Sequence, residues 1–301
     1  MSDYYGRPVI KEPVWTPEIP VYFFTGGLGG ASAGLAFVAE RTGNEVLARR
    51  AWIAALGGVA VSPALLISDL GVPSRFLHML RMFKVTSPMS VGSWILSVSG
   101  ITTGFAAVNS LTGLFPVIGK LSKPAAALFG LPLSTYTGAL IANTSVPVWH
   151  NGRKTLPALF GAGAAASAGA AATVLTPVRY AAPARRLAIM GAAAELVATN
   201  VMEETLGPLS EPYHAGPSGS LTRVAKVLTA VGGMAIGAWG HRSRGAAVAG
   251  GTALLAGALT ERFAVFRAGF ASAKDPKFTV GPQRERVEAG RGHGASQRAA
   301  A

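Results

Sequence analysis

Residues 65–96, LLISDLGVPSRFLHMLRMFKVTSPMSVGSWIL, join two strongly apolar runs of the chain through a polar segment. The segment holds one acidic residue, Asp69, together with three basic residues, a histidine and two prolines. A tight turn between helices needs only a few residues such as Gly, Pro, Asn or Asp. The segment is therefore predicted to be a functional surface where apolar helices meet water.

The composition of the chain is that of an integral membrane protein. Half of its 301 residues are hydrophobic, 14% are charged and the mean hydropathy is +0.39, whereas a soluble domain carries about 25% charged residues. A bilayer-spanning helix needs about 20 mostly apolar residues. Eight segments meet this requirement: about 20–39, 50–68, 89–109, 124–143, 156–177, 184–202, 224–240 and 245–266.

These segments predict an all-α, polytopic fold of about eight transmembrane helices arranged as two four-helix bundles. A membrane β-barrel would show strands of alternating hydrophobicity, and the sequence has none. The fourth segment contains Pro124 and Pro132 and has a second interpretation, an interfacial piece followed by a shorter crossing. Glycines at positions 26, 27, 30 and 34 predict a close-packing face on the first helix.

Four regions are expected along the chain. Residues 1–19 form a polar leader, 20–143 the first bundle with a docking loop at 69–90, 144–270 the second bundle, and 271–301 a basic, largely disordered tail. The short loops carry similar numbers of Lys and Arg on the two faces, so the basic tail decides the orientation. Both termini are therefore predicted to lie in the cytoplasm, with the chain in the cell membrane.

The net charge of +13 is spread over loops and tail, where it is expected to attract anionic lipid headgroups rather than nucleic acid. Cysteine is absent, so we expect no disulfide and no iron–sulfur cluster in this chain. The five histidines fall in predicted loops or the tail, and none forms a facing pair within the spans. We therefore expect no haem, and any electron carrier in the membrane is expected to be diffusible.

Several acidic residues lie inside or beside the predicted spans, where ionisable groups are costly and often functional. Glu195 lies well inside the sixth span and is expected to be protonated or paired, either as a proton relay or as a satisfied structural group. Glu203 and Glu204 are expected to be solvated. Glu261 and Arg262 either extend to the interface or pair with neighbouring helices.

Residues 75–84 place Phe76, Met79, Leu80 and Phe83 at helical spacing, which predicts an amphipathic surface helix. The alternative is a plain interfacial connector. Asp69, just before this segment, is either a cap for it or a functional carboxylate. Five further polar or aromatic residues are predicted at the same end of the first four helices and indicate a pocket there: Trp15, Tyr22, Trp94, Tyr136 and Asn143.

Two stretches of sequence resemble the NrfD family, the membrane subunits of polysulfide-reductase-type and related molybdenum oxidoreductases. They are EPVWTPEIPVYFFTGGLGGASAG at 12–34 and the segment at 65–96. The resemblance covers essentially the whole chain, with its specific motifs in roughly the first 110 residues. Val72 stands where the family's DLGxP turn is expected to carry a basic residue.

The resemblance implies an eight-helix, quinone-reactive anchor that carries no cofactor of its own and is not catalytic alone. It implies a ferredoxin-like iron–sulfur partner subunit linked to a molybdopterin catalytic subunit of the formate dehydrogenase or polysulfide reductase type. Quinone or menaquinone would be the bound substrate. Placement along the chain then suggests the residues that serve each role.

The candidates for hydrogen bonding the quinone head are Tyr22, His78, Arg81, Tyr136 and Asn143. Asp69 and Glu195 are candidates for supplying protons. The loop 69–90 and the leader are expected to form the docking surface, with Trp15, Arg75 and Lys84 as its contacts.

Two other functions are compatible with an apolar, multi-helix chain. A secondary transporter or proton channel usually shows repeated halves and charges at mid-membrane, and the sequence shows neither a repeat nor such a cluster. A passive membrane scaffold would use the same helices without a quinone site.

Overall fold

The computed structural model describes residues 9–284, 287 and 290, and the regular elements in this part of the chain are helices. The α-helices are α1 (Glu18–Arg41), α2 (Glu45–Asp69), α3 (Pro88–Thr112), α4 (Pro116–Ala142), α5 (Pro147–Asn151), α6 (Leu156–Leu175), α7 (Ala182–Leu206), α8 (Gly216–Ala238) and α9 (Arg244–Lys274). Short 3₁₀ segments lie at Pro73–Leu80, Val178–Tyr180 and Gly207–Tyr213.

Each predicted span corresponds to one long helix, so the all-α, polytopic fold is confirmed. Six of these helices, α1 to α4, α6 and α8, are long and apolar enough to cross a membrane. The other two, α7 and α9, have comparable length but carry charged residues along their middles. The fourth span is one continuous helix that includes both Pro124 and Pro132, so the broken-helix alternative is wrong.

Contacts between distant loops show that the long helices alternate in direction. At one end Thr16 contacts Asp69, Glu12 pairs with Lys274 at 3.5 Å, and Glu211 pairs with Lys277 at 2.7 Å. We call this end the leader face. At the other end, the opposite face, the Asn44 side chain donates to the Tyr180 carbonyl at 2.8 Å.

Local sequence signals explain where the helices begin. The Asn44 side chain accepts a hydrogen bond from the Leu47 amide at the start of α2. Ser87 does the same for Ser90 at the start of α3, where Pro88 occupies the first turn. Such caps satisfy backbone amides that lack helical partners, and proline fits the first turn because no amide is needed there. The Ser87 cap fixes the start of α3 on the leader face.

Helices α1 and α6 pack on each other between two groups of long helices, α1–α4 and α6–α9, which we call the first and second bundles. In the first bundle α1 packs on α2 and α4, and α3 packs on α4; in the second α6 packs on α7 and α9, and α8 packs on α9. α1 also contacts α6 and α9. Glycine permits the closest approach: a Cβ added to Gly30 of α1 would lie 2.4 Å from the Gly130 carbonyl of α4.

Gly30→Val is expected to lower the free energy of unfolding by about 1–3 kcal/mol, because the new side chain collides with the backbone of α4. Thermal denaturation of the purified protein in detergent measures the loss. Gly34→Val, one turn further along the same helix, is the matched control because a Cβ there meets no atom within 4 Å. Equal destabilisation by both changes would contradict the assigned α1–α4 contact.

The structure corrects two further predictions. Residues 75–84 do not form an amphipathic α-helix: the 3₁₀ segment Pro73–Leu80 buries none of its residues, because it runs outside the helix bundle. At the start of the predicted tail, α9 extends to Lys274 and residues 277–284 are also helical. Of the tail predicted to be disordered, residues 285–286, 288–289 and 291–301 lie outside the described residues. Gly34 is not part of the packing face.

Candidate ligand pocket on the leader face

A small, mostly apolar cavity of about 50 Å³ opens between α1, α2, α3 and α4 near the leader face. We call it the inner pocket. Three polar predicted residues, Tyr22, Asp69 and Tyr136, lie on its wall. Its other lining residues are Trp15, Ile19, Phe23, Leu66, Leu70, Met79, Met89, Ser93 and Leu140.

The hydroxyl groups of Tyr22 and Tyr136 are the free donors of this pocket. Tyr22 is buried and Tyr136 is partly buried, yet within the part of the chain that the structure describes neither hydroxyl has a hydrogen-bond partner. Gly92 of α3 makes room for Tyr136, because a Cβ at this position would lie 1.8 Å from the phenol oxygen. A buried hydroxyl normally finds a partner, so both phenols are suited to a ligand acceptor.

Asp69 is held at the edge of the inner pocket by the leader. One carboxylate oxygen, Oδ1, accepts hydrogen bonds from the Thr16 amide at 2.8 Å and the Thr16 hydroxyl at 2.7 Å. The other oxygen, Oδ2, has no partner among the described residues. Asp69 thus anchors the start of α1 and does not cap the following segment, while one oxygen stays available to the pocket.

A larger outer groove of about 410 Å³ adjoins the inner pocket and shares three lining residues with it, Trp15, Met89 and Leu140. Asn143 lines this groove. Trp15 stacks on Trp149 with ring centroids 5.6 Å apart and stands edge-on to Phe23. The leader therefore forms a wall of the groove, which leads from the leader face toward the two tyrosines.

His78 and Arg81 do not lie in either cavity. Both are exposed on the connector between α2 and α3 (residues 70–87), as are Arg75 and Lys84. Their placement along the chain suggested a position in the pocket, but the segment Pro73–Leu80 is a 3₁₀ helix and directs His78 to solvent. Met79 and Met89 line the inner pocket instead; both lie in the quoted segment, but only the fold shows that they face inward.

The connector is tied to α3 by polar and aromatic contacts. The Ser90 hydroxyl donates to the Met82 carbonyl at 2.9 Å and accepts from the Lys84 amide at 3.1 Å. Phe83 stands edge-on to Trp94 at 6.3 Å. These contacts hold the connector on the leader face while its basic side chains and several apolar ones remain exposed.

Glu195 lies away from this pocket, in the second bundle. Together with Glu261 and Arg262 of α9 it forms a buried group that we call the carboxylate cluster. Arg262 donates to Glu261 at 2.5 Å and to the Phe160 carbonyl at 2.9 Å. Glu261 and Arg262 thus pair with each other rather than extending to the interface. Glu203, predicted to be solvated, is mostly buried and pairs with Lys226 at 2.8 Å.

The inner pocket and outer groove combine an apolar wall with two phenol donors, an amide and a carboxylate. Binding sites for small lipid-soluble molecules have this character, an apolar lining with a few polar groups that fix orientation. Phenols donate hydrogen bonds to carbonyl oxygens, and an ionised carboxylate accepts a proton. The residues present therefore fit an apolar ligand that carries carbonyl groups and exchanges protons.

Comparison with known proteins identifies the family of the chain. A search of curated proteins finds no match. The sequence model of the NrfD_2 family, described as polysulfide reductase, matches residues 1–275 and so covers the leader, both bundles, the inner pocket and the carboxylate cluster. The family groups quinone-linked membrane subunits of polysulfide-reductase-like complexes. The chain therefore belongs to the NrfD polysulfide reductase family.

Proposed function

We propose that this chain passes electrons between the membrane quinone pool and an iron–sulfur partner subunit, which connects it to a molybdopterin catalytic subunit of the polysulfide reductase or formate dehydrogenase type. The observation that carries the proposal is the pair of unpartnered phenols, Tyr22 and Tyr136, on the wall of an apolar pocket near the leader face. Family membership supports the quinone-linked role in general.

A bound quinone or menaquinone supplies two-electron, two-proton chemistry. The residues of this chain position and protonate it. Tyr136 and Tyr22 donate hydrogen bonds to the carbonyl oxygens of the head, and Asn143 lies on the entry route through the outer groove. Asp69 exchanges protons between the pocket and the leader face, because its Oδ2 is free while Oδ1 is fixed by Thr16.

The connector is the proposed docking surface for the iron–sulfur partner. It exposes four charged or titratable side chains on the leader face: Arg75, His78, Arg81 and Lys84. It also exposes the apolar side chains of Leu77, Met82, Phe83 and Val85. Apolar anchors surrounded by basic groups fit a partner surface with an apolar centre and an acidic rim.

The cell membrane is the proposed location, with the leader face toward the cytoplasm. The support is the basic tail beyond α9, which starts on the leader face and favours the cytoplasmic side. The iron–sulfur and catalytic subunits would then be cytoplasmic as well.

Affinity purification of the gently solubilised, tagged chain tests the proposal. We expect an iron–sulfur protein, a molybdopterin protein and a quinone to co-purify with it. In that complex, Tyr136→Phe should weaken quinone binding roughly fivefold, because one hydrogen bond contributes about 1 kcal/mol. Quenching of tryptophan fluorescence by a short-tailed menaquinone measures the affinity, since Trp15 lines both cavities.

Tyr180→Phe on the opposite face is the matched control and should bind quinone like the native chain. Gly92→Ala keeps the Tyr136 hydroxyl but displaces it, and should weaken binding as well. Unchanged affinity in both Tyr136→Phe and Gly92→Ala would reject the pocket. If the chain is recovered alone and free of quinone, a transporter or proton channel is favoured. If the complex is intact and neither variant changes quinone turnover, a passive scaffold is favoured.

A further inference from the structure

The carboxylate cluster lies outside the proposed quinone pocket and has an unusual balance of charge. Glu195 is 2% exposed, and both of its carboxylate oxygens lack a hydrogen-bond partner among the described residues. Glu261 is also buried, with Oε2 on Arg262 and Oε1 unpartnered. Two carboxylates thus share a single permanent cation, because Arg262 keeps its charge at every accessible pH.

A second negative charge without a partner is strongly unfavourable in the apolar interior of a membrane protein. Binding one proton removes it and leaves the Glu261–Arg262 pair balanced. The arginine is fixed from its other side: its guanidinium lies 3.8 Å from the centre of the Phe160 ring and donates to the Phe160 carbonyl. Gly163 leaves space for the cluster, since a Cβ there would lie 2.7 Å from Glu195 and 2.8 Å from Arg262.

The cluster borders a cavity of about 20 Å³ that reaches toward the leader face. This volume holds about one water molecule, and Thr199, Tyr213 and Thr229 supply further polar groups to it. Burial and the nearby carboxylates raise the pKa of the Tyr213 phenol. The phenol therefore keeps its proton and can donate a hydrogen bond, and its oxygen has no partner among the described residues.

Exposure rises stepwise from the cluster toward the leader face. Beyond Tyr213, the Glu203 side chain is 11% exposed and pairs with Lys226, which is 30% exposed, and the nearby His214 side chain is 58% exposed. One oxygen of Glu203 lacks a partner among the described residues. Polar groups thus extend from the buried carboxylates to water on this side.

The other side of the cluster is closed by close backbone contacts between small residues. A Cβ on Gly191 of α7 would lie 2.3 Å from the Ala166 amide of α6, and a Cβ on Gly169 would lie 2.3 Å from the Ala188 amide. A Cβ on Gly232 of α8 would lie 2.7 Å from the Gly250 carbonyl oxygen of α9. These contacts lie between the cluster and the opposite face.

We propose that Glu195, Glu261 and Arg262 form a proton-binding site that exchanges one proton with the leader face, through Tyr213 and Glu203, and is closed to the opposite face. The step is the reversible transfer of a proton from a hydronium ion at the leader face to one carboxylate: one O–H bond of the hydronium breaks, leaving water, and one O–H bond forms on the carboxylate. The charged or titratable groups facing the site are Glu195 and Glu203 of α7, Lys226 of α8, Glu261 and Arg262 of α9, and Tyr213 and His214 beside the segment Gly207–Tyr213. α6 contributes the ring and carbonyl of Phe160.

Infrared difference spectroscopy of the purified full chain in lipid nanodiscs tests this site. At neutral pH the native chain should show the carbonyl band of a buried carboxylic acid. Glu195→Gln should abolish this band, because the remaining Glu261–Arg262 pair is already balanced. Glu204→Gln, at an exposed position of the same helix, is the matched control and should leave the band unchanged.

Glu261→Gln should also abolish the band, and this second isosteric change carries the test if Glu195→Gln does not fold. The side of access is tested by hydrogen–deuterium exchange of the band: Glu203→Gln should slow it, whereas Thr173→Val, in α6 toward the opposite face, should not. Absence of the native band, its displacement by added sodium ions, or slower exchange in Thr173→Val alone would overturn the proposal. These readouts require no quinone, so they are independent of the function proposed for the leader-face pocket.

Discussion

Arg262→Gln is expected to lower the free energy of unfolding by about 3–5 kcal/mol, because it leaves two buried carboxylates without a counter-charge. The same change removes the hydrogen bond to the Phe160 carbonyl and the contact with the Phe160 ring. Denaturation of the purified chain in detergent at neutral pH measures the loss. The deficit relative to the native chain should shrink as the pH falls, since protons then neutralise the carboxylates that the arginine no longer balances.

The double variant Arg262→Gln with Glu261→Gln distinguishes a charge effect from a packing effect. Removing one carboxylate should restore much of the stability lost in the single variant, because only Glu195 then needs a proton. If single and double variants were equally unstable at every pH, the loss would come from packing against Phe160 and the charge argument would be wrong.

Trp149→Ala is expected to lower the free energy of unfolding by about 3–5 kcal/mol, since it removes a large, fully buried side chain. The Trp149 indole donates to the Val265 carbonyl of α9 at 2.8 Å and stacks on Trp15 of the leader. A Cβ at Gly269 would lie 1.9 Å from the Trp149 ring, so the glycine of α9 is needed to make room for this indole. Loss of the indole should therefore loosen the leader as well as the contact between the bundles.

Thermal denaturation in detergent measures the loss of stability, and limited trypsin cleavage at Lys11 reports the freed leader. Trp239→Ala is the matched control because this tryptophan is 61% exposed at the end of α8. Comparable losses in the two variants, or a leader equally protected in both, would show that Trp149 does not join the leader to the second bundle.

Part of the inner pocket could be predicted from the sequence, because the end of the bundle at which a residue lies follows from the direction of its helix. Tyr22, Asp69 and Tyr136 fall near the same end of consecutive antiparallel helices, and counting spans brings them together. His78 and Arg81 are exposed on the connector, where the 3₁₀ backbone, with about three residues per turn, directs side chains differently from an α-helix. The apolar spacing distinguishes Met79 from its exposed neighbour His78, but only the fold shows that Met79 lines the inner pocket.

The carboxylate cluster could be predicted from the sequence only in part. The deep position of Glu195 is evident from the apolar residues around it, but its neighbours Glu261 and Arg262 lie two helices further along the chain. Glu203 is near the end of α7, a position that predicts solvent exposure, whereas in the structure it is mostly buried and pairs with Lys226 of α8. Whether a charged group near a helix end is solvated depends on which neighbouring helices and loops pack beside it.

An all-α membrane protein with eight long helices is evident from the amino-acid sequence, because the length and composition of apolar segments are local properties fixed by the thickness and polarity of the bilayer. Residues 12–34 and 65–96 also indicate the family. The side chains that face each cavity and the carboxylates that lack partners are known only from the fold, because helix rotation and close glycine contacts depend on packing between segments far apart in the chain.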